Sequence, residues 1–367
     1  MVQRVFVHPG PPKTGTTYLQ TLLYANVDSL RRQGVLMAGS QRANFNAAND
    51  LRETRSRRGK TVPKGAWDRM CGLVREYDGD AVMSCERYSL LHAPHVQRIV
   101  DELDEREVHV VLTLRDVAAV LPASWQEALK NGSSTTWADF CDRLTTDPAA
   151  LRRVSRAHFA LRVWSGVLPP DRVHVVTVPP PTAPRTLLLE RFCEVVGVDP
   201  DRLAVQEAPR ANTSLDLVGA EVVRRLNASA DVDLSPQTHH SEIKKFLTAQ
   251  VLATKRRADR PRLTGAAFAA ARAESEQLYG RIEADGLKVV GDLADLTCTP
   301  VPDDDASAEP DKDAVIDAAV EAIGALADRS AQRGLQIRSL RRAARQRRAA
   351  SSKPRRWRSS WPLRRGR

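Results

Sequence analysis

The run Val108-His109-Val110-Val111-Leu112-Thr113-Leu114 is apolar at nearly every position. A strand with one face in water alternates apolar and polar side chains. A run that is apolar on both phases therefore needs cover on both faces, as a parallel strand inside an α/β layer has. Shorter β-branched runs repeat the signal at 4–8, 80–84 and 172–178, with a briefer one at 35–38, and each is followed by a turn or a helical pattern. This alternation predicts an α/β fold, a doubly wound parallel sheet flanked by helices.

Between the first two runs, Leu19, Leu22, Leu23, Val27 and Leu30 recur at helical spacing over 16–33, and Gly34 stands where a C-terminal cap belongs. The stretch 52–64 carries six basic residues against Glu53, with Gly59 and Pro63, and reads as a basic loop. From about 187 to 291 the pattern is mostly helical, and the body closes on Val289-Val290-Gly291-Asp292-Leu293. An acidic, Pro- and Ala-containing linker is expected over 301–313. An Ala- and Arg-rich helix over 314–349 follows, with Ile316, Ile323, Ile337 and Leu340 suggesting a heptad seam that Ser330 and Arg333 interrupt. Residues 350–367 form a basic tail. The 367 residues thus divide into a main domain, 1–300, and a helical C-terminal extension.

Charge is distributed unevenly. Of 56 Lys and Arg, fourteen lie after residue 330, where there is no Asp or Glu, so the body holds 42 basic against 45 acidic residues. An affinity for anionic partners inferred from the +11 total therefore applies to the appendage alone. Arg interleaved with Trp357 and Trp361 suits an anionic membrane surface, nonspecific nucleic-acid binding is another use of such a tail, and a merely solvated tail is the third reading. No apolar run approaches the roughly 18 residues of a membrane span. The start, Val2-Gln3-Arg4-Val5-Phe6-Val7, reads as a strand rather than a secretory signal. Five widely spaced cysteines, with no CxxC pair, argue against a zinc site and a disulfide framework. The expectation is a cytoplasmic protein with reduced thiols.

The strongest local motif is His8-Pro9-Gly10-Pro11-Pro12-Lys13-Thr14-Gly15-Thr16-Thr17, between the first strand and the first helix. Gly10 and Gly15 have the spacing of a loop whose backbone N–H groups wrap a phosphate at a helix N-terminus. Nucleoside triphosphate loops carry Lys and then Ser or Thr after the second glycine. Here Thr16 takes the lysine's place and the lysine has moved forward to Lys13, within reach of the oxygen bridging a 5′-phosphate to its leaving partner.

This motif resembles the 5′-phosphosulfate loop of sulfotransferases, Pro-Lys-(Thr/Ser)-Gly-(Thr/Ser)-Thr, which binds 3′-phosphoadenosine 5′-phosphosulfate. Sulfuryl transfer moves less negative charge than phosphoryl transfer, so a lysine and a helix dipole suit it without a metal. The resemblance implies that Lys13 stabilises the leaving 5′-phosphate, that Thr14, Gly15, Thr16 and Thr17 cradle it, and that Arg115 and Ser124 hold the 3′-phosphate. Ser124 is nine residues after Arg115, where the family has eight. On one helix that spacing would place them on opposite faces, so Pro122 is expected to start a new helix. The base that takes the acceptor's proton would be Glu86, at the end of the 80–84 strand, with His92 and His95 as rivals. Cys85 reads as a small buried residue and His8 as structural.

Trp164, 171–179, 188–192, Asn212-Thr213-Ser214-Leu215 and 289–293 extend the likeness to bacterial, actinomycete-type sulfotransferases over about 1–300. By position, Thr177 to Pro179 would border the adenine, and Lys255-Arg256-Arg257 would either fold over the 3′-phosphate or form an exposed charge run. The implied reaction is sulfuryl transfer to a hydroxyl of a glycan, lipid or small metabolite. Two alternatives remain open from the residues alone: a metal-dependent P-loop kinase of a small molecule, and a non-catalytic membrane-surface or nucleic-acid binding protein on the same scaffold.

Overall fold

The computed structural model describes residues 2–53, 64–205, 214–229, 234–255, 258–298 and 309–351, with side chains to 344. Six strands form one parallel sheet: β1 Arg4–His8, β2 Val35–Met37, β3 Asp80–Ser84, β4 Glu107–Leu114, β5 Val173–Thr177 and β6 Lys288–Val290. Their spatial order is β2-β3-β1-β4-β5-β6. Val5 sits opposite Ala81 on one side and Val108 on the other, and Val175 opposite Val289. The closing segment around Val289-Val290 forms the β6 strand.

The both-faces-apolar pattern is explained by the packing. Val5, Val7, Ala81, Met83, Val110, Leu112, Val173 and Val175 enter one buried cluster, while Phe6, Val82, Val111 and Val176 enter the cluster on the opposite face. The first face is covered by α3 Gln41–Leu51, α4 Ala66–Arg75, α5 Ala93–Glu102 and α9 Ala157–Ser165. The second is covered by α1 Thr16–Ala25, α2 Val27–Arg32 and α10 Leu187–Val196. Each fully buried Val or Leu contributes about 1.5–3 kcal/mol, so two filled faces are what holds the sheet.

The helix expected over 16–33 is broken at Asn26, whose side chain donates to the carbonyls of Leu22 and Ala204 and accepts from Ala204 N–H. That amide competes with the helix ladder and pins the break against a distant segment.

A second, all-helical cluster builds onto the sheet's edge from α6 Val117–Lys130, α7 Trp137–Thr146, α8 Pro148–Ser155, α11 Leu217–Ala228 and α13 Gly265–Ala284. A single turn, α12 Pro236–Thr238, leads into a π-helix, His239–Val251, that completes it. The C-terminal helix α14 Lys312–Ser351 belongs to this cluster as well. Val315, Ala318 and Ala322 form its buried face, whereas Ile316, Ile323, Ile337 and Leu340 of the expected seam are 49–66% exposed. The helical extension thus docks through small residues, and the larger apolar ones face outward. Among the described residues no helix is long and apolar enough to cross a membrane. All five cysteines are buried free thiols. The tail 352–367, most of the 52–64 loop and most of the 301–313 linker lie outside the described residues.

Candidate active site

Parallel strands place the turns after β1, β3 and β4 on one edge, and the order β3-β1-β4 makes the junction of β1 and β4 a switch point of the sheet. There a cavity of about 780 Å³ opens, lined by Lys13, Gly15, Thr16, Thr17, Glu86 and Arg115 among others. Six of the eight residues singled out from the sequence thus share one site.

The turn after β1 is shaped by three positive φ angles: Gly10 at 35°, Lys13 at 67° and Gly15 at 81°. Left-handed residues interspersed along a turn are a feature of backbone concavities that can bind anions. A Cβ on Gly10 would crowd Thr16 Oγ1, and one on Gly15 would crowd Leu188 Cδ2, so a side chain at either position forces its neighbour to shift. Helix α1 starts at Thr16 with no side-chain cap for its first N–H groups, and Thr16 and Thr17 line the cavity.

Thr14 does not line the cavity. Its Oγ1 donates to Pro11 O at 2.7 Å and meets Thr113 Oγ1 at 2.8 Å. Thr113 in turn contacts His8 Nε2 at 3.3 Å, and His8 Nδ1 contacts Ser84 Oγ at 2.8 Å. His8 is fully buried, and burial lowers its pKa from 6.5 to about 3, so it is a neutral link in a hydroxyl network under the loop.

Lys13 Nζ donates to Glu127 Oε2 at 3.1 Å, and Lys244 Nζ donates to Glu127 Oε1 at 2.6 Å. Burial would raise the Glu127 pKa, but Lys244 and Lys13 outweigh it and bring it from 4.5 to about 2. The carboxylate therefore stands as an anion among cations. Arg115, its Nη1 3.5 Å from Lys13 O, and Lys130 also line the site, and burial lowers the pKa of each. Arg87 and Arg156 complete a set of six cationic side chains, against the two carboxylates of Glu86 and Glu127.

Glu86 opens a short 3₁₀ turn, Glu86–Leu90, at the carboxyl end of β3, and is exposed to the cavity. The rival histidines are elsewhere. His95 Nδ1 accepts from His92 N–H at 3.0 Å, closing the start of α5, and His92 lines a neighbouring cavity.

Ser124 is not part of the cavity wall, although its neighbour Ala123 is, and its buried Oγ has no hydrogen-bond partner among the described residues. The expected new helix at Pro122 is not formed: α6 runs unbroken through it. The helix begins only after Asp116, its N-cap, so Arg115 is not part of it and the argument from opposite helix faces does not apply. Thr177 is fully buried, donates to Asp295 and accepts from Arg191, away from the cavity wall. Lys255 pairs with Glu321 of α14 at 2.5 Å, and Arg256 and Arg257 lie outside the described residues.

Glu127, Lys130, Lys244, Arg87 and Arg156 were missed from the sequence. Two of them had a signal, since Ala123, Glu127 and Lys130 recur at the spacing of one helix face in an otherwise apolar helix. Lys244 comes from a distant π-helix and had none. Ser214 reaches the wall because Gln126 bonds both the N–H and the carbonyl of Leu215, at 3.0 and 2.8 Å. Among the described residues no group of three His, Cys, Asp or Glu side chains could hold a metal ion. Comparison with family models, curated proteins and solved structures gives no significant match.

Proposed function

We propose that this protein is a sulfotransferase using 3′-phosphoadenosine 5′-phosphosulfate on a P-loop-like α/β scaffold. The observation that carries the reading is a lysine inside a glycine-framed turn, converging with five further cations on a nucleotide-sized cavity at the sheet's switch point. Glu127 provides the fit test. A carboxylate already accepts from Lys13 and Lys244, so an anionic group of a ligand suits the same donors.

When bound, the donor supplies a sulfuryl group that passes to an acceptor hydroxyl, releasing adenosine 3′,5′-bisphosphate. Lys13 and the free N–H groups at the start of α1 would hold the 5′-phosphate and neutralise the charge that grows on it. Arg115 would hold the 3′-phosphate through its guanidinium fork. Glu86, exposed in the same cavity, would take the proton from the acceptor oxygen. Ser124 would contribute only after a rotation that brings its hydroxyl to the wall. Thr14 supports the loop from beneath, and its link to Thr113 favours that role over direct contact.

The rival enzyme reading, a kinase, is disfavoured by Thr16 standing where a triphosphate loop carries lysine. A thermal shift separates the two. Stabilisation by adenosine 3′,5′-bisphosphate without Mg²⁺ supports the proposal, and stabilisation by ATP with Mg²⁺ alone refutes it. With ³⁵S-labelled donor and cell extract, Lys13→Ala should remove nearly all labelled product. Glu86→Gln should lower turnover far more than donor affinity, and full turnover in that variant would take the base role from Glu86.

A further inference from the structure

Beside the first cavity lies a second, of about 700 Å³, and the two share Leu90 and Arg156 as wall. Six guanidinium groups line it, those of Arg52, Arg152, Arg153, Arg156, Arg162 and Arg281, and no carboxylate among the described residues does. Arg152, Arg153 and Arg281 are neutralised from outside the wall, by Glu274, Asp147 and Asp285. Arg52, Arg156 and Arg162 form no ion pair with another described residue.

Two of these are held together at a cost. Burial lowers the pKa of Arg52, and Arg87 and Arg156 lower it further; burial likewise lowers that of Arg156, with Glu86 opposing and Arg87 adding. Arg156 also keeps a left-handed φ of 55° at the junction of α8 and α9, a conformation that disfavours a bulky side chain. Like charges gathered on a concave wall repel unless an anion joins them, and the guanidinium fork is the side chain best matched to phosphate, sulfate and carboxylate.

We infer that this second cavity receives the acceptor, and that the acceptor is a polyanion, a hydroxyl compound carrying several phosphate, sulfate or carboxylate groups. The inference deepens the sulfotransferase reading and rests on it. The shared wall at Arg156 brings such a molecule to the edge where Glu86 stands. Phe159, whose ring meets that of His92 in a T-shaped contact at 5.2 Å, adds apolar surface beside the arginines.

The test uses the full chain, with sucrose octasulfate as the polyanion and sucrose as its neutral counterpart, at about 0.15 M salt, where bulk attraction is screened. Melting is the readout, because an anion gathered equally by folded and unfolded chain leaves the midpoint unchanged. The octasulfate should raise the midpoint and sucrose should not. Arg153→Ala/Arg162→Ala, at two exposed positions, should weaken octasulfate binding roughly tenfold or more, the loss of two charge-assisted contacts. The same variant should bind adenosine 3′,5′-bisphosphate as the parent does. No shift with octasulfate, an equal shift with sucrose, or a loss produced by Lys13→Ala instead would each overturn the inference. Octasulfate binding that depends on Arg153 and Arg162, in a chain that ignores the nucleotide, would support the polyanion site and refute the donor assignment.

Discussion

Replacing Glu127 by Gln keeps the shape of the side chain and removes the charge that occupies Lys13. An anionic group engaging Lys13 from the opposite side would lie about 6 Å from the carboxylate, twice the observed contact, and their repulsion would be about 3 kcal/mol at an effective dielectric near 20 and about 0.7 in water. Because the Glu127 side chain is one-third exposed, the lower part of that span applies, about 1–1.5 kcal/mol or roughly tenfold. Isothermal titration of Glu127→Gln with adenosine 3′,5′-bisphosphate should therefore show tighter binding than the parent.

The same substitution should weaken the fold. A carboxyl brought from 4.5 to about 2 corresponds to roughly 3 kcal/mol before solvent screening reduces it. The sign follows from a folded-state pKa below the unfolded one. The stabilisation is complete above pH 4.5 and is lost as the pH falls toward 2, and the Gln variant should lack that acid step in a urea series. Equal or weaker nucleotide affinity in Glu127→Gln would refute the competition argument and make the carboxylate a positioner of Lys13.

Gly15 and Gly34 have nearly the same φ, 81° and 80°, but only Gly15 has a side chain against the space a Cβ would fill. Ala at Gly34 should cost about 1 kcal/mol and Ala at Gly15 a further ~1–3 kcal/mol from overpacking on Leu188, read as the difference in urea midpoints. On α14, Ala318→Asp buries an unpaired charge and should destabilise by about 3 kcal/mol or more, whereas Val320→Asp, at a 62% exposed position, should stay within about 0.5 kcal/mol. Burial brings His8 from 6.5 to about 3 and His174 to about 4, so the unfolded chain binds protons that the folded one refuses, and stability falls as the pH drops below 6.5. Each histidine contributes up to ~2 kcal/mol of that loss by pH 5, and His174→Gln should flatten the midpoint-against-pH curve.

The sheet was legible because burial on both faces leaves a direct imprint, continuous apolar runs such as that of β4. The turn after β1 was legible because glycine spacing encodes left-handed φ, although Lys13 adopts it with no glycine to announce it. Helix α6 was misread where a local rule competed with packing. Proline at 122 can start a helix, yet the preceding turn is secured by the Asp116 cap and by Val117, Val120 and Leu121 in the core, which keeps the helix continuous. The wall formed by Glu127 and Lys244 unites residues 117 positions apart, a pairing that no single-sequence period records.

The chain of contacts under the 10–15 turn, from Ser84 through His8 and Thr113 to Thr14, bolts one half of the pocket to three adjacent strands. On the facing half, whose helices are packed through their own buried face, the polar wall is set by one carboxylate shared by two flexible amines. Any redesign of what the pocket accepts should therefore be carried out on α6 and the π-helix, where a substitution alters preference. On the strand side the same effort would spend the fold itself.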